Sequence, residues 1–392
     1  MLSKQEATQI VRENILPFWQ KLTDDEYGGF YGETDFFGNI NKKANKGCIL
    51  NSRILWTFSS AYRLFSDDSY KSSAASAKNF LSFAFFDRDY GGLYWLVDYK
   101  GKPMQTKKQF YNIAFGIYAL SEHYLAFNDH PSLELAMYLF DVMEKFGFDP
   151  ENGGYIEARI WDWRDIDDFR LSSRDVNCPK SMNTNMHILE AYTVLARAGN
   201  NERVKTALER LLRITLDKIL INSRHFGLFF DMEWNSLSKA LSYGHDIEGS
   251  WLICEAALVL GDDSLISRVK QTALSIAEVI YSDAVDSVNG GLFRGRNEKG
   301  ELPLKKEWWT QAEAVVGFYN AYELSGGKKY LDAANSIWEY INQFFIDRVN
   351  GEWHNELLNN NIPDSMMPKA GFWKCPYHNA RMCFEIIRRM ND

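Results

Sequence analysis

Residues 24–32 read DDEYGGFYG, and this short string decides how the chain is organised. Paired glycines beside an acidic residue and flanked by aromatics mark a tight turn, because glycine accepts the positive φ that such turns need. The signal returns as DRDYGGLYW at 87–95, DPENGGYIE at 149–157 and NGGLFRG at 289–295. Weaker forms are HFGLFFD at 225–231 and VNGEWHN at 349–355. The second glycines or their equivalents fall near 29, 92, 154, 227, 291 and 351, at intervals of 63, 62, 73, 64 and 60 residues. Six units at this spacing fill the 392 residues and leave no room for a separate domain, so one domain over 1–392 is expected.

Between these signals the pattern is helical. Ile54, Leu55, Phe58, Ala61 and Phe65 recur at helical spacing and form one apolar stripe. Segments 185–198, 247–260 and 311–325 behave likewise, each ending at a glycine suited to a left-handed cap: Gly199, Gly261 and Gly326. Each unit thus holds two helices. One set covers roughly 5–20, 69–86, 131–147, 202–220, 264–281 and 329–345. The other covers roughly 51–65, 111–127, 183–197, 245–260, 309–325 and 375–390. Six helical hairpins bury their faces either by stacking in a line or by closing in a ring. A line needs polar caps on its terminal repeats. The last helix, CPYHNARMCFEIIRRM, is as apolar as the middle ones, which favours closure. The expected fold is all-α, an (α/α)6 barrel.

Composition narrows the function classes. With 46% hydrophobic and 24% charged residues the chain is an ordinary globular one. Forty-four basic residues stand against 52 acidic ones, a net charge of −8, which lacks the basic footprint of a nucleic-acid binder and suits no anionic membrane. No apolar run approaches the ~18 residues of a membrane span, and the charged N-terminal stretch does not resemble a signal peptide. The five cysteines at 48, 178, 254, 375 and 383 lack CxxC spacing and are too scattered for a disulfide framework. A cytoplasmic monomer is expected. Aromatics make up 15% of the chain, enough to serve either as core volume or as flat faces for sugar rings.

The second helix of each pair opens with polar or aromatic residues that packing does not require. They are Arg53; Tyr111 and Asn112; Asn183 and His187; His245 and Glu248; Trp309, beside Trp308, and Glu313; and Trp373 and His378. Singly, each has an ordinary explanation: a histidine as helix cap, a tryptophan as core, a glutamate paired with a nearby cation, an arginine snorkelling beside an apolar run. Their equivalent phase in six repeats argues for one pocket at one mouth of the barrel, where helix N-termini favour developing negative charge. His245-Asp-Ile-Glu248 is not the HExxH zinc pattern, and no metal is expected. Cys375 lies beside this pocket as a weaker nucleophile candidate.

The strings NSRILW, MNTNMHILEAY, SYGHDIEGSW, EWWTQAEAVVGFYNAY and GFWKCPYHNARMC closely resemble cellobiose 2-epimerases of the N-acylglucosamine 2-epimerase superfamily, over essentially the whole chain. The resemblance implies an (α/α)6 barrel with His245 and His378 as the acid/base pair. It implies that His187 assists ring opening or holds the open-chain sugar, and that Arg53 binds the C1–C2 oxygens with Tyr111 and Asn183 nearby. Trp309 and Trp373 match stacking positions, Trp308 is expected beside them as a substrate-binding residue, Glu248 and Glu313 match pocket carboxylates, and Asp175 in SSRDVN occupies a matching loop. The sequence departs from the pattern at Asn185 and Met186, before His187, and at Ala380; of these, Asn185 is the one placed to alter the pocket edge.

The chemistry so implied is removal of the proton at C2 of an opened reducing sugar, a cis-enediolate, and return of the proton to the other face. Imidazole, with an unperturbed pKa of about 6.5, suits both transfers, and no cofactor is required. The expected partner is a reducing disaccharide or monosaccharide. Return of the proton to C1 would instead make an aldose–ketose isomerase such as mannose isomerase, and a mannose 2-epimerase is also close, but the tryptophan-bearing strings favour the β-1,4-disaccharide epimerase. An inverting glycoside hydrolase would use Glu248 and Glu313, set roughly 6.5–9.5 Å apart. A non-catalytic sugar-binding module would keep the tryptophans but has little use for three histidines.

Overall fold

In the computed structural model, which describes residues 1–173 and 175–390, twelve helices alternate between an outer and an inner ring. The outer helices are α1 (Lys4–Ile10, prolonged by a wide turn over Val11–Ile15 into Leu16–Gln20), α3 (Ser69–Phe80), α5 (His130–Phe146), α7 (Glu202–Ile214), α9 (Asp263–Asp283) and α11 (Lys328–Tyr340). The inner helices are α2 (Cys48–Phe65), α4 (Phe110–Phe127), α6 (Met182–Gly199), α8 (Tyr243–Leu260), α10 (Trp308–Ser325) and α12 (Tyr377–Arg389).

Residue pattern explains which ring each helix joins. Helix α7 buries Val204, Ala207, Leu208, Leu211 and Leu212, a single stripe, and turns Arg and Glu outward. Helix α2 buries every residue from Cys48 to Ala61, as a helix surrounded on all sides must. Each inner helix packs on the next, α12 packs back on α2, and α1 lies against α12. The ring is therefore closed, and the (α/α)6 barrel expected from the repeat is the fold observed.

The connections differ at the two ends. Inner helices pass to outer ones through links of a few residues, where Ser66, Asn128, Asn200, Gly261 and Gly326 take the left-handed conformation that ends the helix. In α6 the cap is Asn200 rather than Gly199, which remains helical; asparagine tolerates this conformation almost as well as glycine. Outer helices pass to inner ones through the long glycine-bearing hairpins, so all six inner N-termini gather at the loop-rich mouth. Short antiparallel ladders join successive units there, such as Lys46–Gly47 with Leu96–Val97 and Lys306–Glu307 with Glu356–Leu357. A bridge between Thr34 and Ala370 closes this belt.

The aspartate of each hairpin string has a defined task. In the hairpin at 87–95, Asp87 Oδ1 accepts the backbone N–H of Asp89 and Tyr90 and so shapes the turn. Its Oδ2 takes the ammonium of buried Lys108 at 2.5 Å, on the strand that leads into α4. The same tie recurs as Asp24–Lys46, Asp149–Lys180, Asp286–Lys306 and Asp347–Lys369. The fourth unit replaces it: there Asp246, on the inner helix, takes His225 and the backbone N–H of Phe226. That substitution accounts for the weak signal at 225–231. In the sixth unit the second glycine is replaced by Glu352 at φ +61, whose buried carboxylate gathers Trp19, Lys374 and Asn379.

Inner-helix amides lock the hairpins in place. Asn185 bonds both the N–H and the carbonyl of Tyr155, and Gln311 does the same for Leu292. Asn112 donates to the Tyr94 carbonyl. Asn185 is thus a structural clamp, contrary to the expectation that it alters the pocket edge.

The ties predict a specific cost. Lys306→Met leaves Asp286 buried and unpaired, which should destabilise the fold by about 3–5 kcal/mol. Replacing both partners by apolar residues should recover much of that loss. Thermal and urea unfolding of the single and double variants checks both expectations.

Candidate active site

The site is built from two layers of side chains on the inner helices, one turn apart. The upper layer holds the three histidines, each anchored through Nδ1. His187 Nδ1 meets Glu190 at 2.8 Å, His378 Nδ1 meets Glu313 at 2.7 Å, and His245 Nδ1 meets the Ser242 hydroxyl at 2.7 Å. A carboxylate at Nδ1 fixes the proton there and leaves the lone pair on Nε2, the arrangement of a base. No hydrogen bond from Nε2 of these three rings to another described residue is present.

Trp309 joins two of these rings. Its indole lies 4.8 Å from the His245 ring and 5.6 Å from the His378 ring, and its N–H donates to Glu307 at 2.5 Å. Gly244 permits this approach, since a Cβ there would stand 2.6 Å from the Trp309 ring. Trp308 is buried and meets the His378 ring edge-on at 6.2 Å. Trp373, on the loop ahead of α12, packs edge-on against Tyr111 at 5.9 Å, and Tyr111 in turn meets His187 at 5.1 Å.

Arg53 lies beside this group, only 3% exposed. Its Nη2 donates to the Tyr111 hydroxyl at 2.8 Å and its Nη1 to the Cys375 sulfur at 3.6 Å. The guanidinium lies over the rings of Phe115 and Tyr377, at 4.3 and 4.8 Å from their centroids. Its Nε is buried with no partner. Eight lysines and arginines are buried among the described residues. Seven of them pair with a carboxylate, and Arg53 is the eighth.

One turn deeper, Arg381 is the reverse case. Its guanidinium contacts Glu190 and the Tyr377 hydroxyl, Glu248 at 2.5 Å and Glu313 at 2.6 Å. Glu190 and Glu313 are the same carboxylates that anchor His187 and His378, so one cation links both anchors. Oxygens of Glu248 and Glu313 and a ring nitrogen of His378 lie within 4.8 Å of one another. Donors of this kind suit a metal, but the Arg381 guanidinium already contacts both carboxylates. The two are buried and closer together than the ~6.5–9.5 Å an inverting hydrolase needs for its water, so that alternative does not fit.

Burial and these charges set the protonation states. Burial pushes the His245 imidazole down to about 3, with His187 and Arg294 adding to the effect. Burial, Arg53 and Arg381 hold His378 well below its ordinary value. Burial alone would raise Glu190, yet Arg381 and His187 bring it to about 2. Glu248 is raised to about 7 by burial and by Glu313. Neutral imidazoles therefore face a region whose free charge is the Arg53 cation.

A cavity of about 430 Å³ opens at the mouth beside His245 and Asn183 and is lined further by Asp175, Glu157 and Arg294. Asn183 and Asp175, both expected at the site, thus belong to this cavity wall rather than to the cluster around Arg53. The sequence reading missed Glu190, Tyr377, Arg381 and Ser242. Three of these stand three residues from a candidate histidine, on the same helix face, so inspecting each i±3 position would have found them.

The sequence profile of the N-acylglucosamine 2-epimerase (GlcNAc 2-epimerase) family matches residues 28–381. A cellobiose 2-epimerase of Bacteroides fragilis is 42% identical over 386 residues, covering 98% of both chains. The solved cellobiose 2-epimerase of Bacillus thermoamylovorans is 40% identical, with a TM-score of 0.93 over 99% of both chains. A solved D-mannose isomerase, 21% identical with a TM-score of 0.87 over 99% of this chain and 98% of its own, shares the fold. The chain belongs to the N-acylglucosamine 2-epimerase family of carbohydrate epimerases.

Proposed function

We propose that this protein is a cellobiose 2-epimerase, interconverting glucose and mannose at the reducing end of β-1,4-linked disaccharides. The observation that carries the reading is Arg53, a buried cation with no carboxylate partner among the described residues. An uncompensated buried charge costs several kcal/mol, and a fold retains it where a negative charge arrives during function. A cis-enediolate formed at C1–C2 of an opened sugar is such a charge. The full-length likeness to cellobiose 2-epimerases supports the disaccharide as substrate.

In this mechanism the sugar ring opens with help from His187, and C1 and C2 oxygens settle at Arg53 and Tyr111. A neutral imidazole, His245 or His378, takes the C2 proton through Nε2 and becomes imidazolium. The enediolate charge forms against the Arg53 guanidinium. A proton then returns to C2 on the opposite face. It comes either from that same imidazolium after rotation about C2–C3, or from the second histidine once its Nε2 has taken a proton from water, the first imidazolium then losing its own to water. Trp309, held between the two histidines, and Trp373, beside Tyr111, provide apolar faces for the sugar rings, and Asn183 and Asp175 line the path to the second ring. The whole chain acts as one catalytic domain.

Incubation with cellobiose and NMR of the products tests the reading. Glucosyl-β-1,4-mannose is the expected main product. A ketose would instead indicate an isomerase, and free glucose a hydrolase.

His245→Asn and His378→Asn should each lower turnover by at least ~10² with the helical circular dichroism unchanged. Wild-type rates in either variant would make that histidine structural. Trp373→Ala should act mainly on sugar binding and raise KM.

The pH profile has a defined sign. A base works unprotonated, and burial lowers both imidazoles, so both stay ready well below neutrality. The acid limb of kcat/KM, which reports the free enzyme, should lie below the 6.5 of free imidazole. A limb centred at 6.5 or above would contradict the described environment.

A further inference from the structure

The unpaired guanidinium makes a demand that the neutral substrate does not meet before it reacts. Of the five N–H donors of Arg53, one goes to the Tyr111 oxygen and one to the Cys375 sulfur. The other three have no acceptor among the described residues. Tyr111 accepts from Arg53, which leaves its own O–H free to donate to a ligand. The carboxylates that would repel an anion, Glu190, Glu248 and Glu313, are each drawn onto Arg381. The rings of Phe115 and Tyr377 cover the faces of the guanidinium, so a ligand meets its edge, where a planar pair of oxygens binds in a fork.

We propose that this site also binds aldonates, the open-chain acids formed when a reducing sugar is oxidised at C1, with their carboxylate at Arg53. The inference rests on the functional reading above and extends it to a second class of ligand. An aldonate brings a full negative charge and planar oxygens at C1 in its ground state, whereas the aldose acquires them only at the enediolate. It is also open-chain from the outset, so no ring opening is needed. The remainder of the disaccharide meets the same tryptophans and cavity wall as the substrate. The C1-oxidised form of the sugar is therefore a competitive inhibitor, and any oxidation acting on the same pool of disaccharide restrains the enzyme.

The test compares two open-chain disaccharides that differ at C1 alone: cellobionate, which carries a carboxylate, and cellobiitol, which carries a neutral alcohol. Binding is read by calorimetry on the wild-type protein, and inhibition by its epimerisation of cellobiose. The expected result is competitive inhibition by both, with cellobionate at least about tenfold tighter, as suits a charge-assisted contact. In Arg53→Gln that advantage should fall to about threefold or less, with Arg53→Lys retaining part of it. Equal affinities in the wild type, no binding of cellobionate, or an undiminished advantage in folded Arg53→Gln would each overturn the proposal. The wild-type ratio stands by itself if Arg53→Gln does not fold. Failure to epimerise cellobiose would count against the functional reading instead, while calorimetry would still read the preference for the acid.

Discussion

Two guanidinium groups buried near the barrel axis divide the work of this molecule. Among the described residues Arg381 holds three carboxylates, and Arg53 holds none. The contrast is physically costly in both directions, since a buried ion is tolerable only when its charge is met. At Arg381 the charge is met by the protein, and the result is rigidity. The carboxylates that answer Arg381 also fix His187 and His378 through Nδ1, so the tautomers of two histidines depend on one cation. At Arg53 two ring faces, a hydroxyl and a thiol give partial compensation only. In the proposed mechanism the enediolate supplies the remainder.

This division needs a frame that does not give way. Six inner helices converge with their N-termini at one mouth, and long hairpins between the rings hold them there. In five units a buried Lys–Asp pair ties the hairpin to the segment ahead of the inner helix. In four of them the lysine lies on the short strand that runs straight into the helix, so the first turn of those helices is fixed where the site residues sit. The fourth unit departs from the rule, with His225 and Asp246 in place of lysine and hairpin aspartate. Asp246 follows His245, so in this unit the tie and the catalytic candidate share one turn of helix. Placement of the candidate site residues thus rests on backbone anchored outside the pocket as well as on the contacts within it.

Most of this frame was legible in the sequence because it is repeated. The hairpin strings and their spacing gave six units, and apolar periodicity gave both rings of helices to within a few residues. Closure was also legible, from the apolar last helix. Positions that follow the repeat are the ones the fold brings together, among them Arg53, His187, His245, Trp309 and His378. The residues missed are those whose role depends on partners from other units. Glu190 lies in a string quoted for its likeness, yet nothing local says that it meets Arg381, 191 positions away. Local pattern points to Gly199 for an αL cap that Asn200 takes, because asparagine and glycine compete for such positions. Asn185 reads as pocket edge from its neighbours in sequence, since its partner, the Tyr155 backbone, comes from a hairpin 30 residues earlier.

The central claim is that the uncompensated charge of Arg53 stabilises the enediolate. The most direct measurement is the rate at which deuterium from D₂O enters C2 of the reducing-end sugar, followed by NMR in wild-type protein and in Arg53→Gln. The account predicts exchange at C2 in the wild type and a fall of about 10²–10³ in the variant, the size expected for losing a donor to a developing oxyanion. Exchange at the wild-type rate in folded Arg53→Gln would contradict it, because the enediolate would then form without the charge that the barrel keeps for it.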